Sequence, residues 1–229
     1  MPGQNNDSSF VPQPLRRAVA AVERSTSLDR VTAPLKQAAE RVGGGRPGSV
    51  LRGDWLGHAL HPLLTDFPLG CWLSAGLLDI AGSKAYRPAS RKLVGLGVLF
   101  AVPTALAGMA DYAPIEDPRA KRVGAVHMLG NTGVLLMYLM SWRARRKNHH
   151  WRGVGWAMAG GSSAWITGYL GGHLSFARGV GTGQRGMDLD AEPFDTLTNG
   201  DAEESALLAN GAVSVMVDGR EGFEGPNPL

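Results

Sequence analysis

Cysteine is nearly absent from this chain, since Cys71 is the only one among 229 residues. A single cysteine excludes an intramolecular disulfide, a Cys-x-x-Cys redox pair and an iron–sulfur cluster that this chain alone would hold through cysteines. The first 20 residues also lack an apolar core of 7 or more residues, so we predict no secretory signal peptide. Membrane insertion, if it occurs, must be driven by internal segments.

Lysine and arginine are missing from four long apolar stretches, residues 62–81, 93–110, 123–142 and 153–174. About 20 helical residues cover roughly 30 Å, the thickness of the hydrocarbon core of a bilayer. The mean hydropathy of −0.08 hides these stretches, because the charges lie in the tails and in short loops. We therefore predict an all-α fold, a four-transmembrane-helix bundle with polar N- and C-terminal tails.

Three regions follow from this pattern. Residues 1–54 are a polar, basic N-terminal tail, residues 55–178 the four-helix transmembrane domain, and residues 179–229 a C-terminal tail. Within the N-terminal tail, segments 15–24 and 28–42 are weakly amphipathic. They are either helices on the membrane surface or part of a solvated, disordered tail, and their thin apolar face favours the second interpretation.

Glycine and proline inside the apolar stretches predict how the helices pack. The small residues Gly160, Ala164, Gly168 and Gly172 recur every four positions and predict a smooth face for a neighbouring helix. A proline within a transmembrane helix frees a backbone carbonyl, which a neighbouring helix or water must satisfy. Two spans contain such a residue, Pro68 and Pro103.

Histidines and carboxyl groups collect at one end of the predicted bundle. Four spans place both tails and the middle loop on the same side, so helix ends facing that side share one level. The residues at this level are His58, His61, Asp66, Asp111, His127, Asn131 and His173. At the opposite end we predict only Asp79, with His149 and His150 in an exposed basic loop.

Three interpretations of this cluster stay open: metal or haem ligands, a proton or substrate pathway, and hydrogen bonding at the membrane interface. Neutral imidazole is a common ligand for zinc, copper and iron, and helical bundles build metal sites from facing helices. We predict metal ligation by His58, His61, His127 and His173. Asp66 and Asp111 would orient these histidines, and Asn131 would bond His127 or a nearby carbonyl.

Several motifs resemble, in the same order along the chain, an uncharacterised family of bacterial four-helix membrane proteins, the domain of unknown function numbered 2231. They cover about residues 55–185 and are Gly57-His58-x-x-His61-Pro62, Phe67-Pro68-x-Gly70 with Trp72, Ala107-Gly108-x-Ala110-Asp111, Val126-His127-x-x-Gly130-Asn131, Gly168-Tyr169-Leu170-Gly171-Gly172-His173-Leu174 and Gly179-Val180-Gly181. Many members have histidine where this sequence has Asp66.

Members of that family are sometimes fused at the C-terminus to a Rieske iron–sulfur domain, which implies electron transfer near the membrane. Residues 203–219 resemble the first strand and turn of such a domain. The Cys-x-His and Cys-x-x-His pairs that hold a Rieske cluster are absent, so we expect no iron–sulfur cluster in this chain. The segment would be a remnant, or the protein would act with a separate Rieske-type or other redox protein.

The leading expectation is a redox-associated subunit of the cell inner (cytoplasmic) membrane that binds haem b or another transition metal. We predict no catalytic residues, and activity as an enzyme on its own is the less favoured outcome. The expected partners are the lipid bilayer, a redox protein and, as an open alternative, further copies of the chain, but no nucleic acid. The competing functions are a non-catalytic scaffold that docks a soluble partner and, less favoured, a small transporter.

Overall fold

The computed structural model describes residues 13–181, and every regular element in that part of the chain is helical. The Rieske-like segment at 203–219 lies outside the described residues. The α-helices are α1 (Gln13–Arg24), α2 (Asp29–Gly43), α3 (Gly45–Arg52), α4 (Leu60–Ile80), α5 (Arg87–Tyr112), α6 (Pro118–Arg146) and α7 (His150–Gly172). Short 3₁₀ turns join some of them, and the π-helical turn His173–Ala177 follows α7.

Three helices in the described part of the chain are long and apolar enough to cross a membrane. They are Leu60–Ile80, Lys84–Tyr112, which includes the short turn before α5, and Pro118–Arg146. Within these helices, 18-residue windows have mean hydropathies of 1.3, 2.0 and 1.4, respectively. The fourth predicted span corresponds to α7, which does not reach the same apolar character. Length and composition therefore support a membrane-spanning helical protein with three candidate spans.

The four long helices form two hairpins. Helix α4 packs along α5, and α6 packs along α7. Between the hairpins, α5 packs on α6 and α4 packs on α7. Side chains of α4 and α6 meet across the middle of the bundle, where the Trp72 and Tyr138 rings stack with centroids 3.9 Å apart and planes 3° apart. We call the line along which α4 and α6 meet the bundle axis. The core around this stack contains Val94 and Val134.

The N-terminal tail is helical from Gln13 and packs against the ends of α5 and α6. The Arg122 guanidinium donates to both carboxylate oxygens of Asp29, at 2.7 and 2.9 Å, and to the Glu23 carbonyl oxygen at 2.7 Å. The hydrogen bond from Arg122 lowers the pKa of Asp29, so this carboxylate is charged at neutral pH. The tail sequence is therefore structured by contacts with the bundle end, which its own thin apolar face does not reveal.

Pro68 supports the expectation about freed carbonyls. A helical proline has no N–H to donate to the carbonyl four residues earlier, which here belongs to Leu64. The Thr104 hydroxyl on α5 lies 3.1 Å from that Leu64 oxygen and 2.8 Å from the Phe100 carbonyl of its own helix. A neighbouring helix thus offers the Leu64 carbonyl a hydroxyl donor, which that carbonyl shares with Phe100.

The predicted glycine face of α7 is only half right. A Cβ on Gly160 would lie 3.0 Å from the Tyr138 ring, whereas a Cβ on Gly168 would meet nothing within 4 Å. Positions four apart rotate by about 40° per step around a helix with 3.6 residues per turn, so the row turns away from its neighbour. The face that packs on α6 instead continues from Gly160 through Thr167 to Gly171.

Candidate functional site: a histidine pair on the bundle axis

His61 on α4 and His127 on α6 face each other at the end of the bundle nearest the N-terminal helices. Their ring centroids are 6.4 Å apart, and their planes are inclined by 85°. Each ring is held by a backbone carbonyl of the other helix in its hairpin. The His61 Nδ1 lies 2.9 Å from the Thr104 oxygen, and the His127 Nδ1 lies 2.8 Å from the Thr167 oxygen.

These contacts decide the tautomer of both rings. A carbonyl oxygen only accepts, so a neutral imidazole beside it carries its proton on Nδ1 and keeps an electron pair on Nε2. Metal-binding histidines are commonly held in the same way, with the distal ring nitrogen on a carbonyl or carboxylate. The arrangement therefore leaves an electron pair on the Nε2 of each ring, which is the atom that could bind a metal.

Glycines on the outer helices let α5 and α7 approach the two rings. A Cβ on Gly108 would lie 2.9 Å from two atoms of the His61 ring, and one on Gly171 would lie 2.8 Å from the His127 Cε1. Such contacts are closer than real Cβ atoms tolerate, so these positions need glycine while the rings stay in place. The imidazoles are confined by backbone on the side away from the axis.

Asn131 lies one turn after His127 and distinguishes the two rings. Its Nδ2 is 3.1 Å from the His127 Nε2 and 3.4 Å from the His127 Nδ1, so the amide lies over the ring, and its Oδ1 accepts from the Thr167 hydroxyl at 2.7 Å. The predicted contact between Asn131 and His127 is thus present. Among the described residues, the His61 Nε2 has no corresponding hydrogen-bond donor.

His173 lies at the same end of the bundle but is engaged elsewhere. Its Nε2 is 2.8 Å from the Glu23 Oε1, and the Arg178 guanidinium binds both oxygens of that carboxylate at 3.0 and 2.7 Å. Glu23 is only 8% exposed. In this arrangement His173 fastens α1 to the end of α7.

The remaining predicted ligand, His58, lies with the predicted supporting residue Asp111 at a shallow cleft of about 400 Å³ at this end of the bundle. Its walls include His58, Asp111, Arg52 and Asp54. His58 is exposed and contacts only its neighbouring backbone, while Asp111 is half-buried. Hydrogen bonds from Ser49 and Arg52 lower the pKa of Asp54, which keeps this carboxylate charged at neutral pH.

Asp66 is exposed on the outer side of α4. Within residues 13–181, no group of three or more His, Cys, Asp or Glu side chains is arranged to hold a metal ion. Ligation by all four predicted histidines therefore stays a prediction. The part of that set which the fold brings together is His61 with His127, supported by Asn131.

The opposite end of the bundle contains a buried ion pair that the sequence prediction missed. The Arg145 guanidinium donates to both Asp79 oxygens, at 2.9 and 2.5 Å, and to the Ser90 hydroxyl at 2.8 Å. The side chains of Arg145 and Asp79 are 1% and 6% exposed. His150 is close to the same carboxylate, at 3.8 Å, so it is not simply part of an exposed loop. The sequence feature that could have indicated a buried Arg145 is Ser141, which lies four positions earlier and therefore on the same face of the helix.

In each pair of groups that meet on the bundle axis, the residue on α4 and its partner on α6 are separated by the same number of positions in the sequence. Asp79 and Arg145 are 66 positions apart. The same separation relates the other axial pairs, His61 with His127 and Trp72 with Tyr138. Because 18 helical residues rise about 27 Å, the histidine layer and the ion-pair layer on α4 are separated by nearly the depth of a hydrocarbon core.

Helices α5 and α7 repeat their contacts in the same way. Gly97 lies against Trp72 as Gly160 lies against Tyr138, and the Thr104 and Thr167 carbonyls each accept from a histidine. Gly97 and Gly160 are 63 positions apart, and so are Thr104 and Thr167. The second hairpin is therefore built on the pattern of the first, with the axis between them.

Long apolar helices, glycine contacts between them and polar pairs confined to the axis define a helical membrane protein. A family model described as "Predicted membrane protein (DUF2231)" matches residues 57–184, more than half of the chain. The protein belongs to this family. Searches of curated proteins and of solved structures gave no match.

Proposed function

We propose that this protein binds a transition metal, as a bare ion or as haem iron, between His61 and His127 at one face of the membrane. The observation that supports this function is the pair of Nδ1–carbonyl hydrogen bonds, which leave an electron pair on each Nε2. Two imidazoles from facing helices are a usual way for a helical bundle to hold a metal in its interior.

The distance between the rings is compatible with one shared metal. Two imidazoles that bind a metal from opposite sides have centroids about 6.2 Å apart, because each bond is about 2 Å and each centroid lies about 1.1 Å beyond its nitrogen. The observed separation is 6.4 Å. The 85° between the ring planes is no obstacle, since each ring can rotate about its own metal–nitrogen bond. Water, the Asn131 amide or a porphyrin would supply the other ligands.

A bare metal ion fits the bundle more directly than haem does. Gly108 and Gly171 bring α5 and α7 against the two imidazoles. A porphyrin between the rings would have to extend between the helices at the same level, which requires them to separate. Nitrogen ligands suit copper, iron and zinc, and copper or iron would also serve electron transfer.

The test is a comparison of metal content and absorption spectrum in mild detergent, oxidised and dithionite-reduced. We expect the wild-type protein to bind copper, iron or haem, and His61→Ala and His127→Ala each to lower the affinity by at least 10–100-fold. His173→Ala is the matched control, because it removes an imidazole at the same end that binds Glu23. A Soret band would identify haem.

Three results of this experiment would change the proposal. A wild-type protein that takes up neither metal nor haem, even when both are supplied, would refute it. Unchanged binding in His61→Ala and His127→Ala would refute this pair as the site. Loss of metal binding in His173→Ala, with the fold retained, would show that the site includes His173 and would favour the larger set of histidine ligands predicted from the sequence.

We further propose that α7 is a fourth span, so that the chain crosses the membrane four times. Helix α7 runs the length of α6: Gly153 faces Arg145 at one end, and Gly171 faces His127 at the other. No charged residue lies between Arg152 and Arg178. Its outer face is apolar, with Trp165 85% and Ile166 68% exposed. Glycines that pack inward lower its hydropathy without adding polarity to the lipid-facing side.

Topology reporters test the number of spans. We expect a reporter before residue 13 and one after residue 181 to lie on the same side of the membrane, and one inserted at Asn148 to lie on the opposite side. Cysteine labelling at the same positions in a Cys71→Ser background provides an independent measurement. A reporter after residue 181 on the same side as Asn148 would contradict the four-span topology.

The cellular setting follows from these proposals. We propose the inner membrane of a bacterium as the location and a Rieske-type or other soluble redox protein as the partner. The N-terminal helices cover the bundle end that carries the histidine pair, and the cleft beside His58 and Asp111 opens there. A scaffold without bound metal is the alternative function, and the metal analysis above decides between them.

A further inference from the structure

Most of the positive charge at the bundle end opposite the histidine pair has no carboxylate beside it among residues 13–181. The loops at this end, residues 83–92 and 143–152, contain nine lysine and arginine residues. Asp79 is the one carboxyl group that the described helices place there, and it is bound by Arg145. The eight other cations are therefore left to attract anions from the solvent or the membrane.

Three of these cations surround a pocket of about 460 Å³ between the ends of α5 and α6. The pocket is lined by Arg91 and Lys92 on α5 and by Trp142 and Arg146 on α6. The Trp142 indole lies directly against α5, because a Cβ on Gly95 would be 2.5 Å from its Nε1. The Arg146 guanidinium lies over the same indole, 4.8 Å from the ring centroid, where a cation is attracted to the ring face. The glycine contact and the cation–π contact thus fix one wall of the pocket.

The pocket lies at the depth of the lipid headgroups. Helices α5 and α6 are two of the three candidate spans, and their apolar stretches, 93–110 and 123–142, begin and end beside the pocket. On α5 the helix face that carries Lys92 continues through Leu96 and Leu99, which are 44% and 62% exposed. A phospholipid whose phosphate occupies the pocket therefore has an apolar helix surface for its acyl chains.

We propose that this pocket binds the phosphate group of an anionic phospholipid through Arg91, Lys92 and Arg146. Guanidinium groups donate paired hydrogen bonds to phosphate oxygens, and the lysine ammonium adds a third positive charge. A zwitterionic lipid is disfavoured, because its choline group would be repelled by the same cations. Basic pockets between transmembrane helices are known to hold anionic headgroups. The pocket and the pair formed by His61 and His127 lie at opposite ends of the bundle, so lipid binding does not depend on a bound metal.

Native mass spectrometry of the full chain in a mild detergent tests the proposal. The protein is titrated with dioleoylphosphatidylglycerol and, as the neutral reference, with dioleoylphosphatidylcholine. We expect the wild-type protein to prefer the anionic lipid, and Arg91→Gln combined with Arg146→Gln to lower its affinity for that lipid by about 10- to 30-fold. The matched control is Arg143→Gln combined with Arg152→Gln, which removes two exposed arginines from the same end but outside the pocket. It should retain the preference.

A single substitution and a competitor complete the experiment. Lys92→Gln changes an exposed side chain of the pocket and should leave the fold intact, so it tests the site even where the double variant does not fold. We expect it to lower the affinity for the anionic lipid by about fivefold. Inorganic phosphate at millimolar concentration offers the same oxygens without acyl chains. It should not displace the lipid, because the chains contribute to binding along Leu96 and Leu99.

Three results would overturn the proposal, whether or not the protein binds a metal. Equal affinity of the wild-type protein for the two lipids would show that the pocket does not select an anionic headgroup. An equal loss of affinity in the two double variants would assign the preference to the total charge of this end. Displacement of the lipid by inorganic phosphate would make the pocket a site for small anions.

Discussion

Asp79→Asn is expected to destabilise the protein by about 3–5 kcal/mol, because it leaves the Arg145 charge buried without a counterion. The Arg145 side chain is 1% exposed, and its guanidinium is otherwise surrounded by the hydroxyls of Ser90 and Ser141. Hydroxyls can accept hydrogen bonds but cannot neutralise the charge. The measurement is reversible unfolding in mixed micelles, followed by tryptophan fluorescence.

Two further variants distinguish the cost of leaving the Arg145 charge unpaired from the contribution of the ion pair itself to stability. The double substitution Asp79→Leu with Arg145→Met removes both charges and should recover much of the lost stability, since replacing a whole buried pair is often neutral. Glu116→Gln breaks the exposed pair with Lys36, at 2.8 Å, and should change the stability far less than Asp79→Asn does, because water screens exposed ion pairs. An Asp79→Asn protein as stable as wild type would show that water or lipid headgroups reach Arg145.

Trp72→Ala is expected to cost about 3 kcal/mol, the second largest effect. Trp72 is 8% exposed and stacks on Tyr138, so its removal leaves a cavity at the contact between the two hairpins. The value lies at the lower end for large aromatic deletions, because a detergent micelle also shields the indole in the unfolded chain. The same unfolding assay measures it.

Trp72→Phe is the matched control. The Trp72 Nε1 is buried and has no hydrogen-bond partner among the described residues, so a phenyl ring loses no such bond and still stacks on Tyr138. We expect a cost below about 1.5 kcal/mol, as for other conservative core substitutions. Equal destabilisation by alanine and phenylalanine would show that the indole N–H, rather than the stack, stabilises this layer.

Much of the architecture could be predicted from the sequence because lipid imposes a simple rule on it. Long stretches without lysine or arginine must be helical to satisfy their backbone in a bilayer. The predicted boundaries agree with α4 within two residues, whereas α5 begins six residues earlier than predicted and α6 extends four or five residues beyond both predicted ends. The ends that differ are informative. Helix α6 continues past Trp142 to Arg146, which carries Arg145 into the bundle instead of leaving it in a loop.

For the candidate site, the sequence predicted only the depth at which its residues lie in the bundle. The ends of the spans place His61, His127 and His173 at one depth, but depth does not say which way a side chain points. Contacts from other elements decide that: carbonyls of Thr104 and Thr167 direct two imidazoles towards the axis, and Glu23 engages the third. These partners lie 40 to 150 positions away in the chain, so no local pattern contains them.

By itself, the sequence determined that this protein is helical, that its apolar stretches suit a membrane, and that four of its six histidines collect at one end. Those properties depend on composition and on the rise of a helix, which are local. The pairing of His61 with His127, the stack of Trp72 on Tyr138 and the burial of Arg145 beside Asp79 were decided by the tertiary structure. Each joins α4 to α6, and only the packing of one hairpin on the other determines which faces of those two helices meet.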